Sequence, residues 1–272
     1  MFVRFLLASC VALAVGCAST ELESTAPPST QATPETSAPT TTQPAPIGPA
    51  LVELAESGQF GVGVRTLTDA NLTVEVWYPT TGESAVESYD LRDFTPEIIR
   101  NLLSDDANSV FSYTASRDAD PADGVIGLVL FSHGFTGMRL QSTAITTHLA
   151  SHGFIVAAPD HPSRDLFNVL GASASGDRDA PVDELLETRS LVVNDPSLGP
   201  MVDTGFATVG HSAGGGTVLA LATRGAEDLL GYVSLAAGSG EAAMPDVPSL
   251  FIAGSLDAVV PPEASAKIGR AS

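Results

Sequence analysis

From residue 72 onward, six apolar runs recur, most of them opened or closed by Gly or Pro, with helix-like stretches between several of them. "LTVEVWYP" (72–79) alternates as a strand does and stops at Pro79. "VIGLVLFSHG" (125–134) is continuously apolar and ends in Gly, the pattern of a strand buried on both faces. "GFIVAAPD" (153–160), "GFATVGHS" (205–212), "GYVSLAAG" (231–238) and "PSLFIAG" (248–254) repeat that form. Residues 139–151 and 214–224 read as helices between them. Strands alternating with helices predict an α/β chain: a mainly parallel sheet with helices on both faces.

Two segments interrupt the rhythm. Residues 83–123 are richer in Asp, Ser and Asn, and "TPEIIRNLLSDD" (95–106) predicts a helix with Thr95 as N-cap and Pro96 in first position. Residues 163–204 mix loop with a helix expected around 182–193. Both read as structure inserted at the surface, where either could line a pocket.

The N-terminal part has a different character. Arg4 precedes an apolar run from Phe5 to about Gly16, too short to span a bilayer and suited to a secretory signal. It ends in "LAVGC", which resembles a bacterial lipobox with Cys17 as the lipidated residue; plain secretion is the alternative. Residues 18–50 are nearly all Ser, Thr, Ala, Pro and Glu, unable to bury enough apolar surface to offset the entropy of ordering, and predict a disordered tether. The expected organisation is 1–17 signal, 18–50 tether, 51–272 folded domain. The other cysteine, Cys10, lies inside the signal, so no disulfide and no Cys-rich metal site is expected afterwards. A net charge of −20 argues against nucleic acid or an anionic lipid surface as partner, leaving the lipid anchor as the only membrane contact. No cofactor is expected.

"GHSAG" (210–214) matches G-x-S-x-G between an apolar strand and a Gly-rich helix. That is the setting of a nucleophile elbow, which lifts the Ser212 hydroxyl above the sheet edge. Ala213 then offers its backbone N–H to an oxyanion at a helix start. "FSHGFTG" (131–137) ends another strand and supplies the second donor, the N–H of Phe135, with the Phe135 ring as a pocket wall. His133 is expected to brace this loop. Asp257 in "FIAGSLDAVVPPE" follows the last readable strand, where it is either a triad acid or a turn aspartate.

Taken in order, "FSHGFTG", "LASHGFIVAAPDHP", "GHSAGGGTV" and "GSLDAVVPPE" resemble α/β-hydrolases of the platelet-activating-factor acetylhydrolase type. Bacterial dienelactone-hydrolase-like esterases and polyester hydrolases are similar. The resemblance covers most of 60–263. It implies the α/β-hydrolase fold, a small ester or lipid-like substrate, and carboxylic ester cleavage through an acyl-serine. In it Ser212 is the nucleophile, Asp257 the acid, and Phe135 with Ala213 the oxyanion donors. In that family the base follows the acid by a few tens of residues. The five histidines here, at 133, 148, 152, 161 and 211, all precede Ser212. The expectation is therefore a chain lacking the triad base and the last strand and helix. His161 is the one stand-in base considered, and His211 is expected to point away from the reactive face. The alternative function is a surface-tethered, non-catalytic ligand-binding relative.

The lipobox makes a first prediction. Cys17→Ala should shift the protein from the membrane fraction to the soluble fraction; an unchanged distribution on fractionation would remove the anchor from the reading.

Overall fold

The computed structural model describes residues 54–103, 108–124, 126–238 and 245–265. The predicted signal, Cys17 and the tether lie outside the described residues. All the elements below belong to one unit, Ser57–Ser272. Its sheet contains β1 (Gly61–Thr68), β2 (Thr73–Thr80), β5 (Ser116–Arg117), β6 (Ile126–Ser132), β7 (Ile155–Pro159), β8 (Val202–His211), β9 (Leu229–Leu235) and β10 (Ser249–Ile252). Their order across the sheet is β10-β9-β8-β6-β7-β2-β1-β5. The strands from β10 to β7 run parallel, and β2 joins antiparallel to both β7 and β1. A hairpin of β3 (Val86–Asp90) and β4 (Val110–Thr114) forms a separate two-stranded sheet.

Parity explains how the sheet is covered. In β6, Leu128 and Leu130 enter one apolar cluster while Val129 and Phe131 enter another, so both faces are buried. Helices α4 (Ala180–Asn194) and α5 (Ala213–Thr223) close the first face with Val182, Leu185, Val192, Val218 and Leu221. On the second face sit α2 (Thr143–Ser151), with Ala150, and the short α3 (Leu166–Leu170), with Leu166. Among the described residues no helix is long and apolar enough to cross a membrane.

The alternating run at 72–79 is the strand β2, and it is buried on both sides. Its polar member, Glu75, is 1% exposed and sits between Arg117 and Arg139, which balance its charge. The helix expected over 95–106 is only one turn, α1 (Glu97–Arg100), with Pro96 as N-cap and Thr95 closing the preceding 3₁₀ turn. Ile98 and Leu102 are exposed, so no apolar face is buried there to lengthen it. At the far edge of the sheet, β10 leaves Leu250 and Ile252 half exposed.

Leu185 is fully buried in the first cluster. Leu185→Ala should lower unfolding free energy in urea by roughly 2–5 kcal/mol through lost burial and a residual cavity. A loss under about 1 kcal/mol would mean that α4 is not part of this core.

Candidate functional site

The candidate residues meet because parallel strands end together. Ser212 follows β8, Phe135 follows β6, His161 follows β7 and Asp257 follows β10, all at the carboxyl edge of the sheet. Between β8 and α5 the chain turns so sharply that Ser212 takes φ 53°, ψ −119°, a conformation that side chains rarely adopt. Glycine makes the turn possible. A Cβ on Gly210 would lie 2.1 Å from the Gly214 carbonyl oxygen, and one on Gly214 would lie 2.0 Å from the Ser132 carbonyl oxygen. The Ser212 N–H donates to the Leu235 carbonyl at 2.8 Å, which ties the turn to β9. Neither the Phe135 N–H nor the Ala213 N–H is taken by a protein acceptor among the described residues. Both are therefore available to an oxyanion, Ala213 with the partial positive charge of a helix start behind it.

The Asp257 carboxylate accepts the N–H groups of Val260 and Val259, each at 2.9 Å and each through Oδ1. It thus holds the turn that was one of its two expected roles. Those bonds hold its pKa below the ordinary carboxylate value, with a smaller contribution from His211. It stays ionised, as a triad acid must. Burial lowers the pKa of His211, and the Asp257 charge opposes that shift. A Cβ on Gly134 would lie 3.3 Å from the Ser212 Cβ and 3.5 Å from the His211 Nδ1. The expectation that His211 points away is thus corrected: its ring lies beside the elbow and feels the Asp257 charge.

His161 also needs correction. It is fully buried, with Nε2 2.8 Å from the Ser132 hydroxyl and Nδ1 2.6 Å from Glu184 Oε2. Both nitrogens are committed, and no hydrogen bond joins the ring to Ser212. Its role is structural, not that of a stand-in base. His133 braces the loop: its Nε2 accepts the His161 N–H at 3.0 Å, so its Nδ1–H donates to the Gly134 carbonyl at 2.8 Å. Those two bonds fix one neutral tautomer. Burial pushes both rings well below the ordinary histidine pKa, so neither takes a proton near neutral pH. His148 and His152 lie at the end of α2 with ring centroids 4.7 Å apart.

Sequence reasoning missed the rest of this polar layer. Arg164, buried, donates to the Thr217 hydroxyl at 2.7 Å, the Ser132 hydroxyl at 2.8 Å and the His133 carbonyl at 2.9 Å. Burial lowers its pKa to about 10, which leaves it charged at neutral pH. Burial raises Glu184 from 4.5 to about 7. The one available signal was an arginine in a chain with only 12 basic residues, set next to "PDHPS". A cavity of about 620 Å³ opens here, lined by Phe135, Ala213, Ser163, Arg164 and Thr217 among others. The 163–204 segment therefore does line a pocket.

Glu184 gives a pH prediction with a definite sign. Its folded pKa is raised, so the native state holds a proton that the unfolded chain has already released above pH 4.5. The stability this group contributes is present below that value and is lost as pH rises through about 7. Glu184→Gln removes that dependence and leaves His161 buried. The variant should gain stability relative to the wild type between pH 5 and 8 in parallel denaturant titrations. A constant difference would show that the carboxyl does not hold its proton.

Residues 118–238 match the family model described as chlorophyllase. No curated protein is similar enough to the chain to count as a match. Among solved structures, a ferulic acid esterase from Streptomyces cinnamoneus superposes with a TM-score of 0.57 and 22% identity, over 79% of this chain and 71% of that one. That likeness establishes the fold, and the family match covers the two strand ends that carry Phe135 and Ser212. The chain thus has the α/β-hydrolase fold, and over residues 118–238 it is similar to the chlorophyllase family.

Proposed function

We propose that Ser212 is the nucleophile of a serine esterase. The observation that supports this most directly is the strained Ser212 turn beside two unengaged backbone N–H groups. In this reading the Ser212 oxygen adds to an ester carbonyl carbon and gives up its proton to a base. The carbonyl oxygen becomes an oxyanion held by the N–H groups of Phe135 and Ala213. Collapse breaks the bond to the alkoxide, which leaves with a proton as the alcohol. Water then releases the acid from the acyl-serine. Asp257 would orient and charge-stabilise a histidine base. The reading assigns that base to none of the five histidines in the sequence: His133 and His161 are bound in the buried layer, and none hydrogen-bonds to Ser212 among the described residues. Substrates of this reading are small or lipid-like esters, met outside the cytoplasmic membrane if Cys17 carries the anchor.

Among the described residues the Ser212 hydroxyl has no hydrogen-bond partner, which favours a second reading, a tethered protein that keeps the pocket without the chemistry. Chemical rescue separates the two. Among the described residues no histidine hydrogen-bonds to Ser212. A nucleophile without an engaged base typically falls short by ~10⁴–10⁶ in kcat, so hydrolysis of p-nitrophenyl acetate by these 272 residues should be slow. Added imidazole, a diffusible base, should raise the rate well above that of a Ser212→Ala control, and a fluorophosphonate should label Ser212. Identical rates for wild type and Ser212→Ala at every imidazole concentration, with no labelling, would establish the binding protein instead.

A further inference from the structure

Arg164 is a buried cation with no anion bonded to it. It is 8% exposed, and every group it donates to is neutral: two hydroxyls and one carbonyl. No ion pair to Arg164 is formed among the described residues, and its Nε–H is buried without an acceptor. Glu184 is the nearby carboxyl, and burial holds it half neutral around pH 7. Taking an unpaired guanidinium out of water costs several kcal/mol, which a ligand anion can offset. The same residue lines the cavity that also contains Phe135 and Ala213, the two oxyanion donors.

We propose that this cavity recognises the carboxylate of an acidic ester, with Arg164 as the specificity-determining cation. The reading rests on Ser212 as the reacting centre, because it places the ester carbonyl at the elbow and the free acid against Arg164. Arg178, which is exposed, lines the same cavity and adds a second positive charge at its rim. Asp177 and Asp179 line it too, but both are exposed and Asp179 is paired with Arg224 at 3.0 Å. Water and salt screen those surface charges, whereas the buried guanidinium acts at low dielectric and dominates close contacts. Because Arg164 lines the cavity, its unneutralised guanidinium charge is what a ligand carboxylate in that cavity would meet.

The test is calorimetric binding to the full-length Ser212→Ala chain, so it does not depend on turnover. One arm puts the acid on the acyl side, comparing monomethyl glutarate with dimethyl glutarate. The other puts it on the alcohol side, comparing 4-acetoxybenzoate with its methyl ester. In one arm the anion should bind tighter than its neutral partner by at least roughly tenfold, the scale of one charge-assisted hydrogen bond. Arg164→Gln should abolish that preference by weakening the anion far more than the neutral ester, and Arg178→Gln should reduce it less. A purely structural Arg164 would instead weaken both ligands alike. If the Gln variant does not fold by circular dichroism, Arg164→Lys keeps the charge and loses the Nε–H, and should cut the preference several-fold. Equal binding of anion and neutral ester in both arms, or a preference undiminished in the Arg164 variants, overturns the proposal. A chain that prefers the anion but shows no Ser212-dependent hydrolysis or labelling would refute the nucleophile reading alone.

Discussion

The structure turns on one close approach: α5 starts so near the end of β6 that no side chain fits between them. Gly214 stands where a Cβ would overlap the Ser132 carbonyl, and Gly210 where it would overlap the Gly214 carbonyl. This contact holds Ser212 in its unfavourable backbone conformation, because relaxing the turn would push the helix off the sheet. It also brings two strand ends together, so that Phe135 and Ala213 border one cavity. A strained residue persists only where its surroundings over-determine it. Here those surroundings are two packed strands and a helix whose sheet-facing side, continuing from Gly214, carries Val218 and Leu221 into the core.

Beneath that turn lies a polar layer that has to be complete to be tolerable. Ser132, His133, His161, Arg164, Glu184 and Thr217 exchange hydrogen bonds in a region where every unmet group would cost desolvation energy. The chain of donors runs in one direction. Arg164 donates to the Ser132 oxygen, the Ser132 hydroxyl can then donate to His161 Nε2, and His161 Nδ1–H to an ionised Glu184. When Glu184 is protonated the last two bonds reverse. The network thus accommodates one proton more or less without moving a heavy atom, and it leaves the Arg164 Nε–H without an acceptor.

Much of this was legible in the sequence, and the misses have physical causes. The parallel strands carry their own signal, continuous apolar runs ended by Gly or Pro, and the elbow is local, written in five consecutive residues. Asp257 was legible by position only, since turn and triad aspartates have the same neighbours. Contacts between distant segments were not legible. The burial of Glu75 depends on Arg117 and Arg139, which are 42 and 64 residues away in sequence. His161 looked available because a histidine at the right sheet edge gives no sign, in one dimension, of a glutamate 23 residues further on. His211 was not legible because its neighbour Ser212 takes a positive φ, so adjacency in sequence does not put the two side chains on opposite sides.

Charge operates on two scales in this molecule. At long range a chain of net charge −20 repels anions, so steering cannot be what brings an acidic ester to the elbow. At about 0.15 M salt that repulsion fades beyond a Debye length of roughly 8 Å. A guanidinium inside the protein is shielded by neither water nor ions to the same degree. Selection would then occur after entry, where the ligand meets a cation held by hydroxyls and a carbonyl that cannot neutralise it. Such a site discriminates through residence time rather than through encounter rate. It also lets an acidic surface, useful for solubility, coexist with a pocket of the opposite preference.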